Sequence, residues 1–297
     1  MPRFLLAFFG LLMLASGVRA DTAAAVKAFE NGDFAAALTE FTEDAKAGNA
    51  EAQYRLGLMY DGGSGVDADP ETALKWFREA AKQGHAEAQR VVGIYYEEGK
   101  AVGQSYSDAV SWYAQSAKQG NAKAQRNLGV MYQDGLGVAA NLSTAFDLYR
   151  QSAEGGVLKA KRNLAYMYYF GAGVRRDYEK AAQLFAETAA AGLGAAEYDL
   201  GRLYYRGQGI EKDLKKAAEH FLTAAKQGHG DAQFLLGRMH LLGEGVGKDP
   251  KQSYYWLKLA ATQDQDSADK LLPKVSRELS EDVRADLDRD VAAFRPK

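Results

Sequence analysis

The sequence predicts an all-α protein, a superhelical solenoid of 36-residue two-helix repeats. Three observations carry that reading. Gly48, Gly84, Gly120, Gly156, Gly192 and Gly228 recur at a constant interval of 36, and Asp264 takes the next slot. Ala52, Ala88, Ala124, Ala160, Ala196, Ala232 and Ala268 keep the same register. Inside each period the apolar residues follow helical spacing, so a repeat architecture accounts for the whole array.

The first twenty residues stand apart. Arg3 precedes an apolar run, "FLLAFFGLLML" from Phe4 to Leu14, and Val18 and Ala20 are the small residues a signal peptidase reads. Residues 1–20 are therefore expected to be a secretory signal cleaved between Ala20 and Asp21. The run is well short of the roughly 20 apolar residues that span a bilayer. Without Arg3 and Arg19 the net charge moves from −2 to −4, which excludes a globally basic nucleic-acid binder. The chain has no cysteine, so disulfides cannot staple it.

Residues 21–48 read as an N-terminal helical cap, centred on "AVKAFENGDFAAALTEF". Six repeats follow over 49–264. In the first helix of a repeat, Ala52, Leu56 and Tyr60 recur at i, i+4 and i+8, while Ala52 and Gly57 are small enough for close helix approach. The turn carries two glycines two residues apart, as in "GLGV", "GAGV" and "GEGV", suited to positive φ. In the second helix Ala73, Trp76, Phe77, Ala80 and Ala81 form a wide apolar stripe. A helix pair cannot bury that surface alone, so neighbours must stack. Residues 265–297 read as C-terminal capping helices: "SADKLL" starts a further first helix that Pro273 is expected to cut short, and Leu279 to Phe294 forms a charged amphipathic helix.

The phrase A-x-A-Q-x-x-L-G-x-x-Y-x-x-G-x-G-V, the A-x-x-W-[FY]-x-x-A-A helix and the 36-residue period together resemble the Sel-one-like repeat family, a branch of the tetratricopeptide superfamily. The resemblance implies a right-handed α/α solenoid acting as a scaffold or adaptor. Bacterial members are often exported and tied to envelope signalling, polysaccharide production or host contact. The chain departs from the cysteine-rich exported members, so properties peculiar to them, binding of penicillin-like compounds included, do not transfer.

Catalytic and cofactor chemistry finds no support in the motifs. The glycine-rich turns follow helices and lack a Gly-Lys-Ser ending, so they assign no phosphate. No metal spacing, nucleophile elbow or isolated carboxylate pair is present, and neither a cofactor nor an enzyme activity is expected. Among the four histidines, His85 and His229 share a slot with Asn49 and Asn121 that suits helix capping. His220 stands in the Trp76, Trp112 and Trp256 column and His240 in the tyrosine column. They read as two hydrogen-bonded, half-buried imidazoles, with a pH-responsive pair as the alternative.

The varying letters carry the functional expectation. The resemblance implies that first helices line a concave face whose non-repeating positions contact ligands. One such column holds Tyr54, Arg90, Arg126, Arg162, Tyr198 and Phe234, where three arginines form a ladder. The next includes Tyr166, Arg202 and Arg238, and a third includes Tyr169 and Tyr205. Lys123 and Lys159 add positive charge nearby. Arginine and tyrosine dominate interface hot spots, and arginine forks suit carboxylates. The expected partner is a protein or peptide of acidic character, bound in the periplasm or outside the cell. The alternatives are a solvated face, an acidic-polysaccharide binder in exopolysaccharide export, and a β-lactam or cell-wall hydrolase.

Overall fold

A computed structural model of the protein describes residues 22–263 and 266–296. The leader expected at 1–20 lies outside the described residues, as do Asp264 at the end of the sixth repeat and Lys297 at the end of the C-terminal cap. All regular structure among the described residues is helical, and none of these helices is long and apolar enough to cross a membrane. The chain divides into two compact units, the first ending at Gln104 and the second beginning at Ser105.

The first unit contains α1 (Thr22–Glu30), α2 (Phe34–Lys46), α3 (Ala50–Gly62), α4 (Pro70–Lys82) and α5 (Ala86–Glu98). The helices pack in sequence order around Ala25, Phe41, Ala52, Leu56 and Met59, all essentially without solvent contact. The second unit contains α6 (Tyr106–Lys118), α7 (Ala122–Asp134), α8 (Leu142–Glu154), α9 (Leu158–Phe170), α10 (Tyr178–Ala190), α11 (Gly194–Arg206), α12 (Leu214–Lys226), α13 (Gly230–Leu242), α14 (Pro250–Ala261), α15 (Asp266–Ser276) and α16 (Glu281–Ala293). There too each helix from α6 to α14 packs on its successor, and α16 lies against α14.

Each recurring letter has a physical task. First helices are capped by the side chains of Asn49, His85, Asn121 and His229, each accepting from the backbone N–H three residues on. Second helices are capped by another column that alternates only among cap formers: Asp69, Ser105, Asn141, Asp177, Asp213 and Asp249. Gly57, Gly129 and Gly201 are glycine because a β-carbon there would lie 2.6–2.7 Å from the rings of Phe77, Tyr149 and Phe221. The second turn glycine serves two ends at once. At Gly137, Gly173, Gly209 and Gly245 φ lies between +69 and +71°, and a β-carbon would strike the backbone of the preceding repeat's second helix at Tyr106, Leu142, Tyr178 or Leu214.

The buried glutamines of the A-x-A-Q phrase bind backward along the chain. The Nε2 of Gln53, Gln89 and Gln233 donates at 3.1 Å to the carbonyl of Ala45, Ala81 and Ala225, and that of Gln125 does so at 3.4 Å to Ala117. Lys161 and Glu197 replace glutamine in the fourth and fifth repeats, where Val157 and Leu193 also leave the first helix without a side-chain cap.

The C-terminal expectation needs one correction. Pro273 does not end its helix, because α15 runs on to Ser276. Val275, beyond the proline, is fully buried with Leu257 and Ala260, and Ser276 Oγ donates to the Leu272 carbonyl at 2.8 Å. Packing outweighs the lost backbone donor. The amphipathic helix α16 has no fully buried residue, but Val291 and Phe294 rest against the core and Tyr254 O–H donates to Asp288 at 3.0 Å.

Candidate functional site

In the second unit, α7, α9, α11 and α13 present one face whose side chains are those of the varying columns. Two recesses open on it. The first, about 660 Å³, is lined mainly by Val130, Tyr149, Tyr166, Met167 and Phe170, with Arg126, Gln133 and Asn163 as its polar groups. The second, about 390 Å³, is lined by Tyr198, Arg202, Tyr205, Arg206, Phe234 and Arg238, with Asp231 as its carboxylate. A cleft of only about 10 Å³ between Tyr166, Tyr169, Asp199 and Arg202 lies between them, sharing Tyr166 with the first and Arg202 with the second.

The arginines on this face differ in what they touch. Arg162 donates through Nε to Asp199 at 2.6 Å and through Nη2 to the Tyr166 oxygen at 3.1 Å, and Tyr166 O–H donates to the other Asp199 oxygen. Asp199 is only 2% exposed, so its charge answers that of Arg162 inside the protein. Arg126, Arg202, Arg206 and Arg238 are different: among the described residues none has a carboxylate within ion-pair distance. Arg126 and Arg238 each bury an Nε with no protein acceptor. Arg238 Nη2 donates to the Tyr205 oxygen at 2.8 Å, and Tyr205 O–H in turn donates to Glu244 at 2.8 Å. Arg202 lies over the ring of Tyr198, 5.6 Å from its centroid.

The tyrosines here are held neutral. Burial raises Tyr166, Tyr198 and Tyr205 above the usual phenol range, helped by the carboxylates of Asp199, Asp231 and Glu244 respectively. Burial, the largest cause, pushes Tyr149 up to about 12 against the lowering effects of Asn163 and Arg126. The hydroxyls of these four tyrosines therefore keep their protons at neutral pH and are able to donate.

Of the residues singled out from the sequence, nine meet along this face: Arg126, Arg162, Tyr166, Tyr169, Tyr198, Arg202, Tyr205, Phe234 and Arg238. Lys123 is exposed on α7 and lines neither recess. Arg90 belongs to the first unit, where its Nε binds Glu87 at 2.6 Å. His220 and His240 each have separate partners: His220 meets Glu197 at 2.6 Å and stacks on Tyr204, whereas His240 donates to the Gly247 carbonyl at 3.4 Å.

Three residues had gone unread. Phe170 occupies the column of Gly62, Glu98, Asp134, Arg206 and Leu242, a helix end that is mostly polar or glycine, yet it is a phenylalanine 65% exposed. Arg206, in the same column, donates to the Tyr169 oxygen at 3.3 Å. Asp199 comes from a column of its own beside the arginine ladder.

Six consecutive segments, 50–85, 86–121, 122–157, 158–193, 194–229 and 230–265, match the Sel1 repeat. Among solved structures, the Sel1 repeat protein from Oxalobacter formigenes is 31% identical with a TM-score of 0.76, over 80% of this chain and 96% of that one. A protective antigen present in uropathogenic Escherichia coli strains, displaying an SLR fold, is 34% identical with a TM-score of 0.77 over 92% of this chain. This chain spans 60% of that protein's length. No curated protein matches the sequence. Proteins of this repeat type generally serve as scaffolds for protein interaction. The six matched repeats and the shared α/α solenoid architecture show that the chain belongs to the Sel1 repeat family.

Proposed function

We propose that the protein is an exported, non-catalytic adaptor that holds an acidic segment of a partner protein against the α7–α13 face, in the periplasm and in envelope signalling or assembly. One observation carries the reading of the face: Arg126, Arg202, Arg206 and Arg238 adjoin two neighbouring recesses, and among the described residues none of the four has a carboxylate within ion-pair distance. A guanidinium fork at a recess recognises carboxylates in two-point fashion, and the surrounding tyrosines add contact area at low entropic cost. Export is supported by the leader-like residues Met1 to Ala20.

The test is capture of periplasmic proteins by the wild-type chain and by the R126E/R202E variant, at low and high salt. The expected result is a set of partners retained by the wild type, released as salt rises, and lost from the variant. Recovery of the same partners by the variant overturns the assignment. So does a wild type that retains uronate oligosaccharides and no protein. N-terminal sequencing of the chain from cells is expected to begin at Asp21.

A further inference from the structure

The two recesses ask for different chemistry, and the path between them asks for almost none. The first is walled by Val130, Met167 and the Tyr166 ring, with Phe170 at its side. Phe170 stacks parallel to Tyr166 at 5.9 Å and edge-on to Tyr169 at 4.8 Å, so its position is fixed although most of its surface meets solvent. An aromatic ring held rigid and left exposed beside a recess is a seat for another apolar side chain.

In the second recess three guanidinium groups, Arg202, Arg206 and Arg238, face one carboxylate, Asp231. The guanidinium groups outnumber the carboxylate on this lining, and Glu244 reaches Arg238 only through the Tyr205 hydroxyl. Between the recesses the cleft is too small for a side chain, and the Arg162 charge is already answered by Asp199. A carboxylate placed there would meet Asp199 beside the single guanidinium of Arg202, whereas the second recess offers three guanidinium groups.

We infer that the partner segment is bipartite: one large apolar or aromatic side chain seated against Phe170 in the first recess, and two carboxylates engaging Arg202 and Arg238 in the second, joined by small neutral residues. This rests on the proposed use of the face, and it adds the order of chemistry along the bound segment. The acidic part supplies orientation and encounter rate, the apolar part residence time. Arg162 and Asp199 are positioning residues that hold Tyr166 between the two seats.

The experiment uses fluorescein-labelled peptides in a Gly/Ser background, read by anisotropy with the full chain. One set contains Trp and Glu-Glu separated by spacers of increasing length. A second has Glu-Glu without Trp, a third Trp with Gln-Gln, and a fourth neither. The expected result is one spacer length at which the bipartite peptide binds at least about tenfold tighter than either half. Phe170→Ser is expected to remove that gain and leave the Glu-Glu peptide unchanged, and R202Q/R238Q to weaken every Glu-Glu peptide and leave the Trp peptide unchanged. Phe170 is exposed, so its variant keeps the fold; thermal melting verifies both variants. If no spacer improves on Glu-Glu alone, or if the gain survives in Phe170→Ser, the bipartite assignment falls while the acidic-segment reading stands. If Glu-Glu peptides bind no better than the fourth set, both fall.

Discussion

Asp199 on α11 closes on Arg162 of the preceding repeat at 2.6 Å, 37 residues apart in sequence, and accepts the Tyr166 hydroxyl with its second oxygen. Substituting Asp199→Asn leaves a half-buried guanidinium without its counter-charge. Because the Arg162 side chain is 26% exposed and regains some water, the expected loss is about 2 kcal/mol, below that of a fully buried pair. Tyr166 is raised first by burial and then by Asp199. In the variant its ultraviolet titration should move down yet stay above that of free tyrosine. A urea midpoint equal to wild type would show that the pair contributes nothing.

His229 links stability to pH. Its Nδ1 caps α13 by accepting from the Ala232 N–H at 3.4 Å, and its ring stacks on Tyr198 at 4.3 Å. Burial lowers its pKa below the ordinary 6.5, only partly offset by Asp231 and Asp199. A histidine with a depressed folded pKa contributes stability that is complete above pH 6.5 and is lost as the pH falls through the folded value. Protonation also removes the cap, since a protonated Nδ1 cannot accept. In His229→Asn, which restores the cap residue of Asn49 and Asn121, the fall in urea midpoint between pH 7.5 and 5.5 should be shallower than in wild type. Parallel curves would contradict this.

Close helix approach at Gly129 predicts an overpacking cost. A β-carbon there would lie 2.7 Å from the fully buried Tyr149 ring. Gly129→Ala gains roughly 1 kcal/mol of helix propensity but forces that ring or the backbone to move, for an expected net loss of about 1–2 kcal/mol. Denaturant unfolding measures the balance, and a stabilised variant would mean that the ring yields freely.

The turn after α5 departs from its counterparts. It reads Gly99-Lys100-Ala101, and Ala101 adopts φ +55°, the sole positive φ outside glycine among the described residues. Ala101→Gly should raise stability by about 1 kcal/mol by relieving left-handed strain, although the more flexible unfolded chain takes back part of the gain. A lower melting temperature would refute it.

The fold was legible because its determinants recur. Ala52, Gly57 and Gly84 each have counterparts in the same column, and the helix pairs follow from contact between small residues and rings. The face was legible as a set of positions, but the state of each side chain was not. Arg162 reads as a rung of a free ladder, yet its partner sits one repeat and one residue further on, in a column no period connects to it. Phe170 was hidden at a helix end where most repeats place polar residues. Pro273 misled because a breaker was weighed by its local chemistry, while the burial of Val275 beyond it belongs to tertiary packing.

The turn glycines at 137, 173, 209 and 245 lie so close to the main chain of the previous repeat that a β-carbon would strike it first. At these turns the joint between neighbouring cassettes is therefore set by backbone, whereas on the α7–α13 face it also includes cross-repeat pairs such as Arg162–Asp199 and Tyr205–Arg238. A cassette can be exchanged for another, or its displayed letters rewritten, provided that these cross-repeat pairs move together, so recognition can diverge while the framework stands still. For an engineer the same property makes this chain a stock of interchangeable parts: moving the residues of α9 and its turn into the place of α11 would relocate the aromatic seat by one step and alter which segment is read.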